Sequence, residues 1–212
     1  YLKRCRERDI HDCQLHGIYQ DKNMQTAYVA LCALREPLRQ LTTAAIAEGF
    51  KQVCTLTGLR GRWEQLAEKP TILCGTGHNS HGIKYVAEQL KRLLTERQSR
   101  LHIVFGMVND KDVDVVLHLL PAEAHYYFTA AATHRAIPAE DMERMFLQVQ
   151  PNATTQTCPS VQTAIETARH NATEDDIIFI GGSKQPPYDT NDLFKHKTAF
   201  YKVLTETMYY NI

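Results

Sequence analysis

The stretch from Thr71 to Leu94 holds the residues whose types and order are most suggestive of chemistry. An apolar segment, Thr71–Cys74, leads into the turn Gly75-Thr76-Gly77 and then to His78 and Asn79. Apolar residues follow at helical spacing, and Asn79 or the serine after it can cap the first turn of that helix. Free N–H groups and the helix dipole at such an N-terminus favour an anion, so the pattern predicts phosphate binding. Taken alone, the pattern also fits a strand and a helix joined by a polar turn.

Other short motifs stand before and after this stretch and strengthen the phosphate interpretation. They are Gly17-Ile18-Tyr19-Gln20-Asp21-Lys22-Asn23, Gly61-Arg62-Trp63-Glu64, Phe105-Gly106-Met107-Val108-Asn109-Asp110-Lys111-Asp112 and Ile180-Gly181-Gly182-Ser183. In this order they resemble the folylpolyglutamate synthase/dihydrofolate synthase family of the Mur ligase superfamily. The resemblance runs from about residue 12 to residue 183 and covers only the later part of such an enzyme.

This resemblance implies an ATP-dependent ligase that joins glutamate to a folate. In the family a folate carboxylate takes the γ-phosphoryl group of ATP, and the amine of glutamate then attacks the acyl phosphate. The implied cofactors are ATP and Mg²⁺, and the implied substrates are glutamate with dihydropteroate or a reduced folate. Such a reaction needs cations and dipoles where charge develops on the phosphoryl oxygens and the tetrahedral intermediate.

The same resemblance points to particular residues of this chain. Arg62 matches the arginine of a family Gly-Arg-x-Glu motif, where a guanidinium can hold two phosphate or ribose oxygens. His78 and Asn79 match a His-Asn pair near the phosphates and the incoming glutamate, so we expect catalytic roles for Arg62, His78 and Asn79. Arg62, Gly75, His78 and Lys111 are expected nucleotide-binding positions, and no metal ligand is predicted. A surface arginine at 62 and a solvated helix start at 111 are the alternatives.

Two further segments match family positions, but for them a structural role is favoured. They are Ser183 and the loop Thr133-His134-Arg135-Ala136, which could contact glutamate or nucleotide. The sequence also departs from the family at Gly75, where the relatives have an aspartate that contacts the nucleotide. Because glycine has no side chain to accept that hydrogen bond, weak nucleotide binding is expected, and Gly75→Asp is expected to strengthen it.

The chain contains no Gly-x-x-x-x-Gly-Lys-Ser/Thr motif in its 212 residues. In the family, the phosphate loop, the magnesium ligands and most of the folate pocket belong to an N-terminal domain. We therefore expect ATP and Mg²⁺ to be held mainly outside this chain, and the chain alone to be inactive. The alternative hypothesis is a free-standing α/β binding or interaction module that has lost catalysis.

Charge and cysteine content limit the other classes of function. Lys plus Arg and Asp plus Glu both number 24, which argues against a nucleic-acid partner or an anionic membrane. No run approaches the length of a membrane span, and the charged start is unlike a signal peptide. The six cysteines form no CxxC pair and lie mostly among apolar residues, as is typical of reduced thiols in a cytoplasmic protein. We also expect a monomer.

The hydrophobic pattern predicts an α/β fold. Repeated βα units with short, continuously apolar strands indicate a Rossmann-like, mostly parallel sheet with helices on both faces, as in the C-terminal domain of Mur ligases. Residues 1–49 are expected to be a trailing helical segment of an ATP-binding domain, 50–183 the α/β domain and 184–212 a divergent tail. Within them we predict a helix over 41–48 that stops at Gly49, and strands over 53–56, 63–66, 71–74, 101–105, 125–129, 154–157 and 177–180.

Overall fold

The computed structural model describes residues 12–39, 41–75, 77, 79–109, 113–130 and 134–182. The chain divides into two compact units, Tyr1–Glu64 and Gln65–Ile212. The expected domain limits at 49/50 and 183/184 stay predictions. The expected divergent tail, 184–212, lies outside the described residues.

The first unit is helical in the part that the structure describes. Its helices are α1 (Gln20–Ala33), α2 (Thr43–Lys51) and α3 (Val53–Thr57). The Thr42 side chain caps α2 by accepting a hydrogen bond from the Ala45 N–H. A small apolar core is formed by the following buried and half-buried residues: Tyr28, Leu31, Cys32, Leu41, Ile46 and Phe50.

Two local predictions in this unit were wrong. Residues 53–56 form a helix rather than a strand, because Gln14 Oε1 accepts hydrogen bonds from the N–H groups of Cys54 and Thr55 at the start of α3. Gly49 lies inside α2 rather than ending it. Gly58 has a left-handed backbone, at φ 67°, and it ends the next helix, α3.

The second unit contains most of one sheet and the helices that cover it. The strands described are β1 (Arg62–Ala67), β2 (Thr71–Gly75), β3 (Leu101–Gly106), β4 (His125–Phe128), β5 (Thr154–Thr157) and β6 (Ile177–Gly182). The described helices are α4 (Ser80–Arg97), α5 (Val113–Leu119), α6 (Ala139–Val149) and α7 (Val161–Asn171). The strand order is β1-β2-β6-β3-β4-β5, and all four pairings from β2 through β5 are parallel.

Helices cover both faces of this sheet. On one face α7 packs through Val161, Ala164, Ile165 and Ala168 against alternate strand residues, including Val104 and Tyr127. On the other face the Phe146 ring of α6 lies 4.4 Å from the Tyr126 ring of β4, centroid to centroid. The predicted fold class, an α/β Rossmann-like mostly parallel sheet with helices on both faces, is therefore confirmed.

The strand predictions in this unit are largely confirmed. The predicted strands at 63–66, 71–74, 101–105, 125–129, 154–157 and 177–180 coincide with β1 to β6 within one or two residues. Among the helices that the structure describes, none is both long and apolar enough to cross a membrane.

A buried polar cluster lies near the amino ends of the central strands. His102 is 2% exposed, its Nδ1 lies 3.1 Å from the Tyr127 hydroxyl, and its Nε2 lies 3.6 Å from Asp176 Oδ2. The Asp176 carboxylate accepts hydrogen bonds from the N–H groups of Arg100 and Thr173, at 3.0 and 2.8 Å. Those bonds fix the start of β6 to the start of β3.

This cluster shifts two pKa values downward. Burial lowers the pKa of His102 below 6.5, and the nearby Asp176 carboxylate opposes the shift only in part. Burial tends to raise the pKa of Asp176, but hydrogen bonds from Thr173 and Arg100 and the adjacent His102 outweigh it, so that pKa is lowered below 3.8. In the folded protein, His102 is therefore kept neutral beside an ionised Asp176 at neutral pH.

We expect the protein to lose stability as the pH falls below about 6.5, because the unfolded chain then protonates His102 and the folded chain does not. The contribution of Asp176 is present above 3.8 and is lost as the pH falls further, through the lowered pKa. The slope from His102 is at most about 1.4 kcal/mol per pH unit. Urea unfolding between pH 7.5 and pH 5 measures it.

His102→Gln is the informative variant, because glutamine does not titrate. It is expected to flatten the dependence between pH 6.5 and pH 5, whatever its effect on stability at pH 7.5. His170→Gln, which changes an exposed histidine on α7, is the control and should keep the wild-type slope. Equal slopes in all three proteins would contradict the prediction.

Candidate active site at the carboxyl edge of the sheet

Three central strands end in glycine at the same edge of the sheet. Gly75 ends β2, Gly106 ends β3 and Gly182 ends β6, and Gly106 and Gly182 are paired neighbours in the register. Carboxyl ends of parallel strands are where α/β proteins gather their ligands. At these positions the edge presents backbone rather than side chains.

A pocket of 720 Å³ lies beyond the carboxyl ends of β3 and β4. It is lined by Asn109 from the β3–α5 connection and by Asp114 from the first turn of α5, and on the other side by His134 and Arg135 from the β4–α6 connection and by Asp141 and Arg144 from α6. Its volume is in the usual range for small-molecule sites.

Backbone hydrogen bonds join the two connections that line this pocket. Val108 and Ala136 form an antiparallel bridge, and the Asn109 N–H donates to the Arg135 carbonyl at 2.9 Å. The Ile137 N–H donates to the Met107 carbonyl, also at 2.9 Å. These bonds fix the two connections to each other, so the side chains that they contribute to the pocket are held in place relative to one another.

The pocket carries both signs of charge. Two guanidinium groups, of Arg135 and Arg144, face the same space as the carboxylates of Asp114 and Asp141. Arg144 and Asp141 form an ion pair of 2.7 Å, with 68% and 42% of their side chains exposed. Because an exposed pair of this kind contributes only about 0–1 kcal/mol, a ligand carboxylate or ammonium can replace either partner at little cost.

The sequence indicated half of this pocket and missed the rest. Asn109, His134 and Arg135 lie in motifs that were recognised. Asp141 and Arg144 were not among the residues that the motifs selected. Asp141 and Arg144 lie on one face of α6. This face lines the pocket because α6 packs beside the β3–α5 connection, which the sequence does not show.

Asn79 caps helix α4, as the sequence predicted. Its Oδ1 accepts the Gly82 N–H at 2.8 Å, and its own backbone is extended. Gly77 and Gly82 pack closely, since a Cβ at Gly77 would lie 3.4 Å from the Gly82 carbonyl carbon. The predicted strand and the helix N-terminus that follows it are confirmed, while Thr76 and His78 between them lie outside the described residues. The catalytic role of Asn79 stays a prediction.

Arg62 is exposed at the start of β1, and the hydrogen bond and ion pair described around it do not involve its side chain. Glu64 pairs with Arg60 and accepts the Gly61 N–H at 2.8 Å. Arg62 itself makes no hydrogen bond or ion pair with the residues that the structure describes. Its guanidinium is therefore available to an anionic ligand, and its predicted roles remain predictions.

The remaining predicted residues are not described. His78, Lys111, Thr133 and Ser183 all lie outside the described residues, so the structure does not place them. Of the predicted site, it places Gly75 at the end of β2 and Asn79 at the start of α4, and it brings His134 and Arg135 into the pocket. Among the described residues, no group of three or more His, Cys, Asp or Glu side chains is arranged to hold a metal ion.

Gly75 has a packing role that the sequence did not reveal. A Cβ at this position would lie 2.9 Å from Cζ of Phe179, a ring that is 1% exposed. Gly181 approaches the same ring, with a Cβ placed 2.4 Å from Phe179 Cε1. The Phe179 side chain therefore fills the space that side chains at positions 75 and 181 would occupy.

This packing reverses the expected effect of Gly75→Asp. The new carboxylate would begin against the buried Phe179 ring, so we expect lower stability instead of tighter nucleotide binding. Gly75→Ala should cost about 1–3 kcal/mol from overpacking alone, and Gly75→Asp should cost more. Denaturant unfolding of both variants measures the difference. A wild-type stability for Gly75→Asp, with tighter binding of an ATP analogue, would restore the original expectation.

The fold and the site together define a class of protein. Residues 61–184 match the family model for the Mur ligase, glutamate ligase domain, and the chain belongs to that family.

More specifically, its named relatives are folate ligases. The chain is 24% identical over 156 residues to the dihydrofolate synthase/folylpolyglutamate synthase of Buchnera aphidicola, covering 73% of this chain and 35% of the relative. The corresponding protein of Haemophilus influenzae is 29% identical over 115 residues, covering 54% of this chain and 26% of the relative. The matches thus span between about a quarter and about a third of the length of these relatives.

Solved structures agree with this assignment. Folylpolyglutamate synthase of Mycobacterium tuberculosis, complexed with ADP, superposes with a TM-score of 0.65 at 25% sequence identity. The match covers 81% of this chain and 39% of that protein.

Proposed function

We propose that this chain is the C-terminal, glutamate-ligating part of an ATP-dependent ligase that joins glutamate to dihydropteroate or a reduced folate. The observation that carries the proposal is the pocket of Asn109, Arg135 and Arg144 at the carboxyl edge of the sheet, in a chain of the glutamate ligase domain family. In this proposal the pocket receives the incoming amino acid, and the ligase is cytoplasmic and monomeric.

The charges of the pocket suit a free amino acid with an acidic side chain. Glutamate carries two carboxylates and one ammonium group, and the pocket offers two guanidinium groups beside two carboxylates. Arginine matches carboxylate geometry with two parallel hydrogen bonds, while Asp114 or Asp141 can accept from the ammonium group. Binding in this way would orient the amine for its attack on the acyl phosphate.

This chain offers only some of the residues that binding of ATP and Mg²⁺ requires. Exposed Arg62 suits contact with phosphate oxygens, but the described residues offer no cluster of metal ligands. The sequence also lacks a phosphate-binding loop motif. We therefore propose that Mg²⁺ and most of the nucleotide are bound by the other part of the ligase, and that this chain alone releases no ADP in the presence of folate and glutamate.

Titration of the isotopically labelled chain with L-glutamate tests the proposed pocket. Saturable NMR shifts are expected near Asn109 and Arg135, and they should weaken strongly in Arg144→Gln, which removes one guanidinium. Arg169→Gln changes an exposed arginine on α7, which covers a face of the sheet away from the pocket, and should bind like wild type. D-glutamate serves as the stereochemical control.

The binding-module alternative predicts a different result in the assembled enzyme. If catalysis has been lost, the chain joined to an ATP-binding part will consume no ATP even when both substrates are saturating. Ligation by that assembly, with none by the chain alone, would support the proposed function. ADP release by the chain alone, dependent on both folate and glutamate, would contradict it.

A further inference from the structure

Cys13 and Cys54 are neighbours in the first unit, although they are far apart in sequence. The residue after Cys13 is Gln14, whose Oε1 accepts the Cys54 N–H at 2.8 Å and the Thr55 N–H at 3.1 Å. Its Nε2 also donates to the Thr55 hydroxyl at 2.9 Å. Three hydrogen bonds therefore attach the segment that carries Cys13 to the first turn of α3, which carries Cys54.

Both thiols are reduced and only half-buried. The other cysteines that the structure describes, Cys32, Cys74 and Cys158, are fully buried. Burial raises the pKa of Cys54, and the nearby Cys13 thiol and Glu64 carboxylate raise it further.

We propose that Cys13 and Cys54 are a thiol-modification site that forms an intramolecular disulfide when the protein meets a small-molecule disulfide such as oxidised glutathione. The Cys13 thiolate attacks one sulfur of the oxidant, forming a mixed disulfide and releasing one glutathione thiolate. The Cys54 thiolate then attacks Cys13 Sγ and releases the second. Two cysteine thiols are oxidised, one glutathione disulfide is reduced, and the two thiol protons pass to the two glutathione thiolates.

The closing step should depend on pH. Only a thiolate attacks, and burial raises the pKa of Cys54, which keeps that residue mostly as the thiol at neutral pH. Closure by Cys54 should therefore become faster as the pH rises. The product ties the segment before α1 covalently to α3, at the point where Gln14 now holds it by hydrogen bonds.

The full chain in a Cys5→Ser background provides the test, since Cys5 lies outside the described residues and its thiol would complicate the count. The protein is incubated with oxidised glutathione, free thiols are alkylated, and the digested peptides are identified by mass spectrometry. A linked Cys13–Cys54 peptide is the expected product. Cys13→Ser and Cys54→Ser should each keep a glutathione adduct on the remaining cysteine.

The Gln14→Ala variant tests whether the hydrogen bonds of Gln14 position the two cysteines, or whether the cysteines meet only by random collision. Loss of the three hydrogen bonds should lower the effective concentration of one thiol at the other, and so slow closure by roughly threefold or more. Unchanged closure in Gln14→Ala would overturn the proposal. Glutathione adducts on both cysteines without a cross-link, or cross-links that mainly involve the buried cysteines, would also overturn it.

Discussion

Replacing Gly182 with alanine is expected to destabilise the second unit by about 4–5 kcal/mol, the largest effect that we predict for a single substitution. Gly182 ends β6 with φ at 133°, a conformation that residues with a Cβ rarely adopt. The added Cβ would lie 1.9 Å from the Gly106 carbonyl oxygen of the neighbouring strand. Relief of that clash requires β3 and β6 to separate at the carboxyl edge of the sheet.

Gly49→Ala is the matched control for this experiment. Gly49 lies inside α2, and a Cβ there would meet nothing within 4 Å. Alanine should therefore stabilise α2 by up to about 1 kcal/mol through its helix propensity. Urea unfolding of both variants gives the comparison. A loss below about 1 kcal/mol for Gly182→Ala would show that the two strand ends separate more easily than the structure indicates.

In the assembled two-part ligase, Arg62→Ala is expected to lower kcat/KM by roughly 100-fold, the scale of losing one preorganised charge contact worth about 3 kcal/mol. The physical reason is the exposed guanidinium of Arg62, which has no partner among the described residues and is free to hold phosphate oxygens. This prediction rests on the proposed function.

Arg60→Ala is a useful control, because Arg60 is two residues from Arg62 in sequence but pairs with Glu64. It should change kcat/KM far less, and Arg62→Lys should recover part of the lost activity through its charge without the fork geometry. Steady-state kinetics with ATP, folate and glutamate varied in turn, alongside thermal melts, measures these effects. A loss under about threefold for Arg62→Ala, with the fold intact, would make Arg62 an ordinary surface arginine.

The sequence predicted the Asn79 part of the candidate site but not the Arg144 part. The motif around Asn79 predicted both a turn and a helix start, since capping depends on residues only three positions apart. Arg144 could not be found in this way, because its relation to Asn109 depends on how α6 packs beside the β3–α5 connection. His78 and Lys111, which the motifs also selected, remain predictions.

Hydrogen bonds to a residue distant in sequence explain why residues 53–56, predicted to be a strand, form a helix. Residues 53–56 are rich in residues that suit a strand, and the side chain that favours a helix there belongs to Gln14. No window along the chain contains both. The same limit applies to Gly75, whose missing side chain looked like a lost nucleotide contact until the position of Phe179 was known.

The sequence by itself determined the βα order, the buried strands and the family, because apolar periodicity and short motifs are local properties of the chain. Only the tertiary structure decided which loops share a pocket and that His102 lies buried beside Asp176. It also showed why two positions require glycine: the Phe179 ring lies against position 75, and the Gly106 backbone lies against position 182. These features arise between residues distant in sequence, where the approach of one element to another sets the distances and no local pattern records them.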